Sequence, residues 1–168
     1  MKILVAGVGN LLRGDDAFGV RVVQRLEQMR LPDGVRVAEV GISGVALVQE
    51  LMGRYDACIV VDAADRGGAP GTLYLLEPEI ENPHGADAEQ LHRELVDMHY
   101  AEPSRALRLA AALGVRPKHL YVLACQPADV DEMAENLSPP VERAVGEAVH
   151  MIQGLIQRLN EEPAERRG

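Results

Sequence analysis

Residues 2–19, "KILVAGVGNLLRGDDAFG", decide how the chain begins to fold. The branched aliphatics of KILVAGV read as a buried strand, and the glycines after them read as a tight turn. Asp15 and Asp16 then stand where a helix starts. Phe18, Val22, Val23, Leu26 and Met29 follow at helical spacing, and LPDG ends the segment. Asp is a favoured helix cap because its carboxylate accepts from unpaired N–H groups and meets the positive end of the helix dipole. One of the two acids is expected to cap this helix, which leaves the other free for different work.

The same alternation continues. VRVAEVG (35–41) reads as a second strand, and Ser43 caps a second helix carrying Val45, Leu47, Val48, Leu51 and Met52. CIVVDA (58–63), TLYLLE (72–77) and HLYVLAC (119–125) read as further buried strands. A helix starts at Pro103, where the missing N–H costs nothing, and stops by Gly114. A last helix begins at Ser138-Pro139-Pro140, with Val141, Val145, Ala148, Val149, Ile152, Leu155, Ile156 and Leu159 on one stripe. Strands that alternate with helices imply right-handed crossovers and a mostly parallel sheet. The expected fold is therefore α/β: a single three-layer domain over residues 1–160, with a twisted sheet of about five strands, helices on both faces and a charged tail at 161–168.

Composition narrows the function. The chain has 168 residues, is 47% hydrophobic, and contains no Trp and one Phe, so its core must be aliphatic. A net charge of −9 leaves no basic stripe for a nucleic-acid backbone or an anionic membrane. The apolar start is followed too soon by polar residues to be a signal or a membrane span, and a cytoplasmic, monomeric protein is expected. Cys58 and Cys125 lie in apolar runs and are expected to be buried thiols; Cys125 ends a strand, which keeps a catalytic role open.

The glycine turn could hold a phosphate or a metal. The dinucleotide fingerprint requires three glycines, but Leu12 occupies the third place after Gly7 and Gly9. Adjacent acids would also repel a phosphate at the helix N-terminus, so no nucleotide is expected. In parallel sheets ligands collect beyond the carboxyl ends of the strands. Asp16 follows the first strand, GISG (41–44) follows the second, and Asp62 closes the third, so these elements are expected to share one edge. His84, His92 and His99 fall in one polar stretch, and spacing alone does not choose among them. Asp65, Glu77 and Cys125 could support such a site, while Asp129, Asp131 and Glu132 read as a solvated acidic loop.

At this point the sequence resembles the hydrogenase maturation endopeptidases of the nickel–iron hydrogenases, along nearly its whole length. The resemblance rests on GVGNLLRGDDAFGV, GISG, VVDAADRGGAPGTL, DMHYAEPSRALRLAAALG, ACQPADVDEM and LSPPVERAV. It implies an endopeptidase that removes the C-terminal extension of the hydrogenase large-subunit precursor once nickel has been inserted. It also implies that two carboxylates and a histidine contact the metal, at Asp16, Asp62 and His99, with His92 as the fallback. Many relatives carry Glu where this chain has Asp16, which is one methylene shorter.

Two carboxylates and an imidazole suit a divalent ion such as nickel, and leave coordination positions open for water or peptide. Such an ion polarises a carbonyl and acidifies water, so no Ser or Cys nucleophile is needed. Neither H-E-x-x-H nor G-x-S-x-G occurs. The expectation is that nickel arrives with the substrate, while Asn10, Gly41, Ser43 and Gly44 shape the cleft. The rival reading is a nickel-binding accessory protein or metallochaperone that uses the same three residues without cleavage.

Overall fold

Strand β1 (Ile3–Val8) is buried along its whole length, which is why its sequence shows no polar alternation. Leu4, Ala6 and Val8 face one layer of helices, and Ile3 and Val5 face the other. The structure, a computed structural model, describes residues 1–79, 103–130 and 133–161. After β1 come a 3₁₀ turn (Gly14–Ala17), α1 (Phe18–Glu27), β2 (Val35–Gly41), α2 (Gly44–Leu51), β3 (Ala57–Ala63), β4 (Leu73–Leu76), α3 (Pro103–Ala112), β5 (His119–Cys125) and α4 (Pro139–Glu161).

The sheet order is β2-β1-β3-β5-β4. β2, β1, β3 and β5 run parallel, and β4 pairs antiparallel with β5, Leu73 opposite Cys125 and Leu76 opposite Val122. Helices α1 and α4 cover one face and α2 and α3 the other, which gives the expected three layers and mostly parallel sheet. All eight residues expected on the inner stripe of α4 are buried. Among the described residues no helix is long and apolar enough to cross a membrane.

Three details differ from the sequence reading. TLYLLE is a half-buried edge strand, since nothing pairs with β4 beyond β5 among the described residues. In α2 the buried residues are Gly44, Leu47, Val48 and Leu51, whereas Val45 and Met52 are exposed. Met29 is exposed too, because α1 ends at Glu27 before another turn can bring it inward.

Connectivity prepares a site. The chain leaves β1 to one side for β2, then returns past β1 to form β3 on its other side. The carboxyl ends of β1 and β3 thus border a topological switch point, where an open parallel sheet leaves a crevice. Glycines let α1 close on that crevice. A Cβ at Gly19 would collide with the carbonyl oxygens of Val8 and Val61, and one at Gly9, whose φ is +134°, would collide with the carbonyl of Asp16.

Candidate active site

The two adjacent acids have separate partners, and neither caps a helix. The 3₁₀ turn and α1 both lack a side-chain cap, because Asp15 and Asp16 lie inside the turn and aim at other segments. Asp15 is 3% exposed. Its carboxylate accepts from the N–H of Ser138 at 2.6 Å, the hydroxyl of Ser138 at 2.8 Å and the N–H of Ala128 at 2.8 Å. It thereby ties the turn to the start of α4 and to the segment after β5. The neighbouring loop adds a main-chain link, with the Gly14 N–H donating to Ala134 at 2.7 Å and the Ala134 N–H to Leu12 at 3.2 Å.

Asp16 turns toward the crevice. Its Oδ2 accepts from the Asn10 N–H at 2.9 Å, so the loop after β1 fixes the carboxylate. The Asn10 side chain accepts from the Leu12 N–H at 3.0 Å, an Asx turn that holds the same loop. Gly41, with φ +62°, accepts from the Gly9 N–H at 3.0 Å. Ser43 caps α2 as expected, accepting from the Ala46 N–H at 3.3 Å, and Gly44 is the buried first residue of that helix. Asn10, Gly41, Ser43 and Gly44 thus serve turns and a helix cap, and none of them lines the cleft beside Asp62.

Asp62 closes β3, and its Oδ1 accepts from its own Ala63 N–H at 2.9 Å. Burial, with the charge of Asp16 as a second cause, pushes its carboxyl up from the usual 3.8 to about 7; the Ala63 hydrogen bond acts weakly the other way. The two carboxyls therefore feel one another's charge. Asp62 lines an open cleft of about 740 Å³, with Ala63 and Ala124 also on the strand side, Arg66 on the next loop, Glu79 after β4, and Pro103, Leu107 and Arg108 on α3.

The raised Asp62 value has a sign. The folded protein holds a proton between about pH 4 and 7 that the unfolded chain has released, so this group's contribution is full in acid and is lost as pH rises through 7. In a chelating buffer, Asp62→Asn is expected to melt with the wild type near pH 3.5 and above it by pH 7.5, a gap of a few kcal/mol. Parallel melting curves across that range would show that Asp62 is not held protonated.

Both cysteines are buried free thiols, and burial pushes each up to about 12. Burial thus disfavours the thiolate at both positions and weighs against the nucleophile role left open for Cys125. Among the described residues no group of three or more His, Cys, Asp or Glu side chains is placed to hold a metal ion. Asp16 and Asp62 lie among the described residues, and His99, like His84, His92, Asp131 and Glu132, lies outside them. Gln126, which sequence reasoning passed over, is 6% exposed at the end of β5 and bonds to the loop after Asp62. Its only signal was a polar residue directly after an apolar strand.

The profile of the family HycI, hydrogenase maturation protease, matches residues 20–155. The chain belongs to the hydrogenase maturation protease family. It is 39% identical over 141 residues to the hydrogenase expression/formation protein HupM of Azotobacter chroococcum, covering 83% of this chain and 64% of HupM, just under two thirds of that relative's length. To HoxM of Azotobacter vinelandii it is 34% identical over 172 residues, covering 98% and 80%. The hydrogenase maturating endopeptidase HybD of E. coli superposes with a TM-score of 0.75 at 31% identity, covering 94% of this chain and 93% of HybD. This family member thus shares both the fold and the sequence of maturation proteases along most of its length.

Proposed function

We propose that this protein removes the C-terminal extension of a nickel–iron hydrogenase large-subunit precursor after nickel insertion, and that Asp16, Asp62 and His99 contact the nickel carried by that substrate. What supports the reading is the electrostatic interaction of Asp16, in the turn before α1, with Asp62 at the end of β3, where Asp62 lines an open cleft of about 740 Å³. Isolated ionised carboxylates are costly in such surroundings. A divalent cation arriving with the substrate offsets their repulsion, so the pair favours a loaded precursor over an empty one. His99 is included on the family resemblance.

Within this reading the residues divide the work. Asn10 and Gly9 hold Asp16 in place, the open strand ends admit the peptide, and Asp16 and Asp62 grip the cation on the precursor. The cation supplies Lewis acidity toward the scissile carbonyl.

The test incubates the purified protein with nickel-loaded and nickel-free precursor and weighs the products. Loss of a C-terminal peptide from the loaded form alone is the expected result. Cleavage of both forms would remove the nickel from recognition. Nickel uptake by this protein without cleavage would favour an accessory or metallochaperone role.

A further inference from the structure

We infer that Gln126 is a positioning residue of the peptide cleft, holding the loop after β3 so that Arg66 stands at the cleft wall and receives a carboxylate of the bound peptide. The inference rests on the peptidase reading above.

Gln126 spends its whole side-chain amide. Its Oε1 accepts from the N–H groups of Arg66 at 2.7 Å and Gly68 at 3.2 Å. Its Nε2 donates to Asp65 Oδ1 at 2.9 Å and to the Pro127 carbonyl at 3.3 Å. An amide oxygen accepts two hydrogen bonds and an amide nitrogen donates two, so no capacity is left. Three of these four bonds reach residues 65–68, about sixty positions earlier in the chain. The Asp65 oxygen also accepts from the Gly67 N–H at 2.9 Å, and together these donors hold its carboxyl below the ordinary value. The main chain repeats the clamp: the Gln126 N–H donates to Thr72 at 2.9 Å and the Gly71 N–H to Gln126 at 2.8 Å.

The clamped loop begins three residues after Asp62 and carries Arg66, which lines the same cleft. The Arg66 main chain is fixed by Gln126, and its guanidinium lies 5.8 Å from the centre of the Tyr74 ring, so backbone and head are held separately. In a chain of net charge −9 this cleft carries two guanidiniums, Arg66 and Arg108, beside the carboxylates of Asp62 and Glu79, and the one whose main chain is clamped gives an entering carboxylate a fixed partner. A guanidinium fork matches a carboxylate, from either an acidic side chain or a chain terminus.

The test measures steady-state processing of nickel-loaded precursor by the wild type, Arg66→Ala, Gln126→Met and the double variant. Each single substitution is expected to raise KM about fivefold to tenfold with kcat within about twofold, the size of one partly exposed Arg–carboxylate contact. The double variant should match Gln126→Met alone, because the two residues act as one unit. Arg66→Lys, which keeps the charge without the fork and leaves the clamp untouched, should recover part of the lost KM and keeps the contact testable even if Gln126→Met folds poorly. Precursors with the acidic side chains of the extension neutralised, or with an amidated terminus, show which carboxylate is read: the one recognised loses its sensitivity to Arg66→Ala. Additive effects, a fall in kcat at unchanged KM, or wild-type kinetics in the variants would overturn the inference while leaving the peptidase reading intact. A wild-type protein that leaves loaded precursor uncut would overturn both.

Discussion

Asp62→Asn is expected to leave nickel-loaded precursor uncut, with processing slowed at least about a hundredfold, although the variant is the more stable protein at neutral pH. The substitution keeps the shape of the side chain and the oxygen that accepts from Ala63, so the β3 end keeps its geometry. What it removes is a charge placed where solvent cannot replace it, and loss of a preorganised charge at a reacting centre commonly costs two to three orders of magnitude. Burial and Asp16 already resist ionisation of Asp62, so the neutral amide relieves folding while disabling the grip on a cation. Gains in stability at the expense of function mark a strained functional group. A discontinuous processing assay beside a melting curve would check both halves, and a variant that processed at the wild-type rate would take Asp62 out of the mechanism.

Asp15→Ala is expected to fail in the opposite way. Its carboxylate is the shared acceptor for two N–H groups and one hydroxyl, drawn from segments more than a hundred residues away. Alanine leaves these donors without their acceptor at a nearly sealed position, at a cost of about 3 kcal/mol or more. For a chain of this length that corresponds to a melting point lower by roughly 6–12 °C. Because Asp15 points away from the crevice, the surviving folded fraction should still process precursor when assayed well below the transition. Neighbouring acids would then give mirrored phenotypes: one variant stable and inert, the other active and fragile. A calorimetric scan that matched the wild type would show that Asp15 does not tie the turn to α4.

Strand positions were legible because a parallel strand buried on both faces has to be apolar on both, as KILVAGV and CIVVDA are along most of their length. The long helix α4 was legible because its stripe repeats over many turns. Short α2 was read less well: over eight residues Val45 and Met52 fit an apolar stripe as well as Leu47 does, and only packing against α3 distinguishes them. The antiparallel turn of β4 left no mark in TLYLLE, since direction depends on where a loop returns.

The site was legible in part for a related reason. Asp62 was placed at the end of β3 and Asp16 in the turn between β1 and α1 by their positions alone. The division of labour between Asp15 and Asp16 depends on Ser138 and Ala128, which are distant in sequence, so local rules favoured a helix cap. Gln126 was overlooked for the same cause, its partners lying sixty residues upstream.

The bare contact at Gly19 has a further consequence. Where a helix meets two strands through main-chain atoms, no deformable aliphatic group lies between them to absorb or transmit change. Drift among the greasy side chains of the interior can therefore soften or harden the molecule as a whole without altering this approach of α1 to the ends of β1 and β3, which the peptide spine itself gauges.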